Sequence, residues 1–145
     1  MFKSAQFNIF KGKAALRISF ILPREDYGMG FLYAEVANEN GKNASGNRIY
    51  DWENKIPIKL GIVDISKLAY AIERGQSCEL FHQFDGATKG INLQRAEGGQ
   101  SPYFFSVSQK NKEGQTSKIS VPLASEEVYS ILTLLKHSIP AIHGW

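Results

Sequence analysis

The order of its periodicities constrains this chain most: a group of strand-like stretches followed by one helix-like stretch, then the same again. Residues 13–22 set Ala14, Leu16, Ile18, Phe20 and Leu22 on one face and Lys13, Ala15, Arg17, Ser19 and Ile21 on the other. That period-2 alternation is the mark of a strand with two unlike faces. Residues 6–11 form a shorter strand, and Gly12 marks a bend between the two. Residues 30–38 set Leu32, Ala34 and Val36 against Phe31, Tyr33 and Glu35. Residues 39–48 read as a polar loop rich in Gly and Asn. Residues 49–60 read as a fourth strand, with Tyr50, Trp52, Ile56, Ile58 and Leu60 in one parity and Pro57 implying an edge or an irregularity. The period then changes: Ile62, Ile65, Leu68, Ala69 and Ile72 have helical spacing over residues 62–74. Gly61 can serve as N-cap, Asp64 favours the positive end of the helix, and Gly75 suits the stop.

The second half repeats the plan with strands over 77–84, 88–96, 102–110 and 116–123, punctuated by Gly86, Gly98-Gly99 and Gly114. A second helix spans 125–138, with Glu126 and Glu127 in its first turn and Pro140 ending it. No residue-level repeat links the halves. The expected fold is α+β: two antiparallel four-stranded sheets, with a helix after each half, in a single domain spanning 1–145. At 145 residues, 43% apolar and 21% charged, the chain has enough material for one core and little disposition to disorder.

The second helix carries more apolar surface than one sheet face needs. Val128, Ile131, Leu132 and Leu135 make a stripe that Tyr129, Leu134 and Ile139 widen. Either the helix is deeply buried in its own protomer, or part of this arc packs on another subunit. The second alternative is preferred, with Val128, Ile131, Leu132, Leu134 and Leu135 as the interface.

Enzymatic chemistry finds little support. Cys78 and His82 share a strand face, but four residues at ~3.3 Å each put them about 13 Å apart, too far for a thiolate–imidazole pair. The histidines His82, His137 and His143 do not have zinc-ligand spacing with Cys78, and no metal or other cofactor is expected. Gly28-Met29-Gly30 lacks the third glycine of a dinucleotide fingerprint. Asp51 and Glu53 read as solvated edge carboxylates. A single cysteine excludes an intrachain disulfide and fits a reducing compartment. No apolar run reaches the roughly 18–20 residues of a membrane span. No targeting segment is visible, so an intracellular location, cytoplasmic or nucleoid-associated, is expected.

Binding finds more support. The net charge is +3, and its distribution matters more than its size. Lys3, Lys11, Lys13, Arg17 and Arg24 all precede the first acidic residue, Glu25. A protein that holds single strands needs cations along the phosphate path and aromatic faces for the bases. The strands interleave both: Lys13 and Arg17 around the small Ala15 and Ser19, Phe31 with Tyr33, Phe104 with Lys110, and Lys118 opposite Ile119. Trp52 is a further candidate, although its parity matches Ile56 and Ile58 and so fits the core equally.

Four segments then point to a family. Residues 11–16 read KGKAAL, 50–52 read YDW, 77–82 read SCELFH and 140–145 read PAIHGW. In that order they resemble the signature of the Whirly family, plant proteins that bind single-stranded DNA. The resemblance spans residues 9 to 145. It implies two antiparallel sheets packed roughly perpendicular, helices that join protomers into a homotetramer, and DNA lying across the sheets between protomers with little sequence preference. It assigns DNA contact and higher-order assembly to Lys11 and Lys13.

The departures are specific. Arg17 stands where the family usually has Ser, Gln83-Phe84-Asp85 follows His82 where the family has an acidic residue after its CEFFH motif, and Ala124 takes a cap position where the family tends to have Thr. The end at Trp145, without the family's C-terminal tail or a visible targeting segment, is what a prokaryotic, viral or trimmed relative would show.

The sequence therefore predicts a non-catalytic binder of single-stranded DNA acting in replication, recombination or repair. Its nucleic-acid residues are Lys11, Lys13, Arg17, Phe31, Tyr33, Trp52, Phe104, Lys110 and Lys118, and its partners are the strand and further copies of itself, with no membrane. An RNA-binding protein of the same fold and a structural or adaptor oligomer are the alternatives.

Overall fold

The computed structural model describes residues 6–23, 29–84, 86–97 and 101–143, Phe84 by its backbone alone. Lys3, Arg24, Glu25, Gly28, Asp85, Gly98-Gly99 and Gly144-Trp145 lie outside the described residues.

The first half contributes β1 (Gln6–Phe10), β2 (Ala14–Ile21), β3 (Phe31–Lys42), β4 (Arg48–Tyr50) and β5 (Ile56–Leu60), then helix α1 (Ile62–Glu73). The second contributes β6 (Cys78–Phe84), β7 (Ala87–Arg95), β8 (Tyr103–Lys110) and β9 (Thr116–Leu123), then helix α2 (Ser125–Ile142). Every pairing is antiparallel. The second sheet runs β6-β7-β8-β9. The first runs β1-β2-β3, and β3 is long enough to pair with both β4 and β5. The α+β architecture of two sheets, each followed by a helix, is as expected, with one short strand added to the first sheet.

That extra strand corrects the reading of residues 49–60 as one strand. Between β4 and β5 the chain makes a 3-10 turn at Trp52–Asn54. Asp51 precedes it: its N–H still donates to Asn38 O, its carbonyl accepts the Asn54 N–H at 3.2 Å, and its carboxylate accepts a 2.8 Å bond from the Asn54 side-chain amide. These i to i+3 bonds turn the chain away from the strand ladder. The chain re-enters as an edge strand bonded to β3 alone, and an edge tolerates Pro57. The polar loop is also shorter than expected, because β3 and β4 extend as a hairpin beyond the core. Asn43 closes its tip by accepting from the N–H groups of Ser45 and Asn47.

The two sheets meet through their inner faces. Leu16, Leu32, Val36, Ile58 and Leu60 from the first share one core with Ile91, Leu93, Phe105, Val107, Val121 and Leu123 from the second. Both helices cover this core. In α1, Ile65 and Leu68 point inward, the Asp64 carboxylate accepts from the Gly61 N–H, and Gly75 at φ +64° ends the helix. The α2 cap, Ala124, offers no side-chain acceptor, and Glu127 compensates by accepting the Ala124 N–H at 2.8 Å.

Pro140 does not end α2, which continues to Ile142. Ile142 is buried, and its carbonyl accepts the Gly30 N–H at 3.3 Å. Tertiary burial of the last turn thus outweighs the backbone bond that proline forfeits. The broad stripe of α2 divides between two environments. Val128, Ile131 and Leu135 lie in the protomer's own core, and Leu132 is half-buried against it. Leu134 and Tyr129 remain exposed, at 38% and 73%. Leu134 borders an apolar groove of about 430 Å³ between α2 and the Phe7, Phe20 and Leu32 side of the first sheet.

Candidate nucleic-acid interface

The outer face of the first sheet is set by register. Asn8, Arg17, Glu35 and Pro57 form one cross-strand row, and Gln6, Ser19, Tyr33 and Lys59 form the next. The segment from β4 through the 3-10 turn folds onto this face at Phe10, Lys11 and Arg17. Tyr50 donates its hydroxyl to the Lys11 carbonyl, and its ring lies 5.5 Å from the Phe10 ring, tilted by 31°. The Trp52 ring lies 3.9 Å from the Arg17 guanidinium, which also donates to the Asn8 side chain at 2.9 Å. Trp52 is therefore an outer-face residue, not a core one; parity counted through the 3-10 turn misplaces it.

Burial corrects the expected approach beside Ala15 and Ser19. Both are buried, at 0% and 5% exposure, so a phosphate cannot settle on them. What the face offers instead is pairs of cations and rings. Beyond Arg17 and Trp52, the Lys59 ammonium sits 4.2 Å from the Phe31 ring, which makes a T-shaped contact with Tyr33 at 5.3 Å between centroids. Contacts of this kind hold a cation over a π-face while leaving both at the surface. The carboxylates are engaged: Glu35 by Lys55, and Glu39 by Arg48 at 3.8 Å.

The KGKAAL turn lies beside this face. The Arg48 guanidinium rests over Gly12, where a β-carbon would come within 3.4 Å of it. Arg48 lines an open hollow with Phe10, Ile49, Tyr50 and Trp52. The two lysines differ. Lys13 is exposed and makes no ion pair among the described residues. Lys11 is half-buried and bound to Glu127 at 2.6 Å, the carboxylate that caps α2. Lys11 thus ties the turn to the helix.

The second sheet has its own outer face. Phe104 opposes Gln94 and Pro122, Lys118 opposes Ser108, and Lys110 lies between Thr88 and Thr116. Phe104 is 38% exposed, and both lysines are exposed. Phe81 is 69% exposed on the same face and opposes Gly90. Because the sheets pack through their inner faces, these outer faces point away from each other. The structure gathers Arg17, Phe31, Tyr33 and Trp52 on one, with Lys11 and Lys13 at its margin, and sets Phe104, Lys110 and Lys118 on the other.

Sequence reading missed Phe10, Arg48, Tyr50, Lys55 and Lys59 on the first face and Phe81 on the second. Phe81 and Lys59 were open to discovery, since each alternates with core residues, Leu80 for one and Ile58 and Leu60 for the other. Arg48 carried no signal, because only the hairpin brings it to Gly12.

At the inner margin, Lys89 reaches from β7 to the first sheet and donates to the Pro57 carbonyl at 2.6 Å, and burial lowers its pKa. His82 Nε2 lies 3.0 Å from the Asp64 carboxylate. Cys78 is half-buried, and burial raises its pKa. Among the described residues no three His, Cys, Asp or Glu side chains converge to hold a metal ion, and no helix is long and apolar enough to cross a membrane.

Comparison with known proteins gives a consistent picture. Residues 9–134 match the family model described as Whirly transcription factor. The chain is 30% identical, over 97% of its length, to the mitochondrial single-stranded DNA-binding protein WHY2 of Arabidopsis thaliana, and spans 63% of that protein. In fold it is similar to the crystal structure of WHY1 from Arabidopsis thaliana, with a TM-score of 0.86 and 24% identity, covering 100% of this chain and 88% of that one. It is similar to WHY3 from Arabidopsis thaliana with a TM-score of 0.83 and 23% identity, covering 100% and 92%. The plant transcriptional regulator PBF-2 gives 0.82 at 21% identity, covering 100% and 85%.

Proposed function

The chain belongs to the Whirly family, and on that premise we propose that it binds single-stranded DNA with little regard to sequence and acts by binding rather than by catalysis. The observation that carries this reading is the pairing of cations with rings on the outer face of the first sheet, Arg17 with Trp52 and Lys59 with Phe31. Phosphates are met by guanidinium and ammonium groups that displace counterions. Bases are met by ring faces, and every base has a π-face, so strandedness is selected before sequence. Lys13 and Arg48 extend the cationic path along the KGKAAL turn, and Phe104, Lys110 and Lys118 offer a second platform on the other sheet.

Two platforms that point apart cannot both serve one short strand on one protomer. In a homotetramer, neighbouring copies would bring them side by side, with Leu134 and Tyr129 of α2 and the adjoining apolar groove as the contact. The corresponding task is to coat and protect strands exposed in replication, recombination or repair.

The test is titration of labelled single-stranded DNA, the same sequence as RNA, and the duplex at several salt concentrations. Tight binding to single-stranded DNA with a steep salt slope supports the reading. Preference for RNA would move it to RNA binding, and no binding to any of the three at low salt would overturn it.

A further inference from the structure

On the outer face of the second sheet, Glu79, Asn92 and Ser106 form one cross-strand row, and Phe81, Gly90, Ser108 and Lys118 form the next. Together they line a narrow groove of about 140 Å³. Its floor is Gly90, where a β-carbon would stand 3.1 Å from Phe81 Cδ1 and 3.2 Å from the Leu80 carbonyl. The missing side chain lets the Phe81 ring lie down across β7 and present its far side to solvent. Lys118, on the same row, places a cation at the groove's edge.

The row beside the ring is rich in acceptors. The Asn92 side-chain oxygen is buried and has no hydrogen-bond donor among the described residues. A buried acceptor without a donor is uncommon and unfavourable. Ser106 cannot relieve it, because its hydroxyl is committed to Ser120 at 2.8 Å. Across the row stands Glu79, the register partner of Asn92, whose carboxylate is also acceptor-only. Register partners on one face are side-by-side neighbours, with β-carbons about 4.5–5.5 Å apart. Two neighbouring side chains that each offer an acceptor, beside an exposed ring, suit a flat group whose edge carries an N–H₂.

We propose that this groove is a base-selective subsite, which stacks one nucleobase on Phe81 and accepts its exocyclic amino group at Asn92 and Glu79. It favours adenine and cytosine over thymine, whose edge sets carbonyl oxygens on either side of its single N–H. The incoming donor satisfies the Asn92 oxygen. Lys118 holds the adjoining phosphate. The subsite rests on the single-strand reading above and adds to it a modest base preference.

The experiment compares oligo(dA), oligo(dC), oligo(dT) and an oligomer of purine deoxynucleoside, which is adenine without its amino group. Wild type is expected to bind oligo(dA) and oligo(dC) about five- to tenfold more tightly than oligo(dT) or the purine oligomer. Asn92→Leu should bring all four together, with Glu79→Gln keeping part of the preference. Phe81→Ala should weaken all four alike. The comparison of adenine with purine uses only wild-type protein, so it stands even where a variant folds poorly. Equal affinity of wild type for adenine and purine, or a preference that survives Asn92→Leu, would overturn the subsite and leave single-strand binding intact. Failure of every oligomer to bind would instead overturn the single-strand reading.

Discussion

The Arg17 guanidinium lies 3.9 Å from the centre of the Trp52 ring, joining the middle of β2 to a 3-10 turn 35 residues further along the chain. The contact holds the fold-over segment against the sheet and makes one surface of a cation and a π-face. Trp52→Ala is expected to weaken single-strand binding by ~1–3 kcal/mol with little change in salt slope, because a stacking surface is lost and no phosphate contact. Trp52→Phe should restore part of it. Fluorescence anisotropy at several salt concentrations checks this, and Phe104→Ala should act in the same way from the second sheet.

The two lysines of the KGKAAL turn should separate in their effects. Lys13→Ala is expected to reduce the salt slope by about 1 and weaken binding to all sequences alike, with stability unchanged. Lys11→Ala removes the ion pair with Glu127, so it should also lower stability by about 0.2–1 kcal/mol. Urea unfolding beside a salt series distinguishes the two.

Stability should respond differently to neighbouring positions on α2. Leu135 is 2% exposed, so Leu135→Ala should cost about 2–5 kcal/mol in unfolding free energy. Leu134→Glu, on the exposed side, should leave the unfolding midpoint almost unchanged and shift light-scattering mass toward the protomer. Loss of assembly from Leu135→Ala without loss of stability would contradict this division of the helix.

Much of the fold was legible because period and punctuation agreed locally. Helix α1 could be read from the spacing of Ile62 to Ile72, with Gly61 and Gly75 as its limits, and it runs where they imply. The strands of the second half followed in the same way from their alternation. Legibility failed where long-range contacts overrode local rules. Pro140 reads as a stop, but burial of Ile142 carries the helix through it. Trp52 reads as core by parity, but the turn that follows Asp51 resets the parity. Of the candidate site, the residues alternating within strands were visible, as Arg17 and Phe104 show. Arg48 was not, because its place over Gly12 depends on a hairpin that no local pattern specifies.

Lys89 should make stability depend on pH at the alkaline end. Burial lowers its pKa below the ordinary 10.5, so between the lowered value and 10.5 the unfolded chain holds more proton than the folded one. Stability from this group is then fully present above 10.5 and is lost as pH falls through the lowered value. Relative to Lys89→Met, wild type should therefore gain stability as pH rises toward 10.5. Urea midpoints of the two proteins across that range check the sign.

The measurement that tests the central claim most directly is photo-crosslinking of single strands carrying 5-iodouracil, with the attached residues located by mass spectrometry. Crosslinks at Trp52, Phe31, Tyr33 and Phe104 are predicted, on the outer faces of the two sheets. Crosslinks confined to α1 and α2, with none on either sheet, would contradict the account.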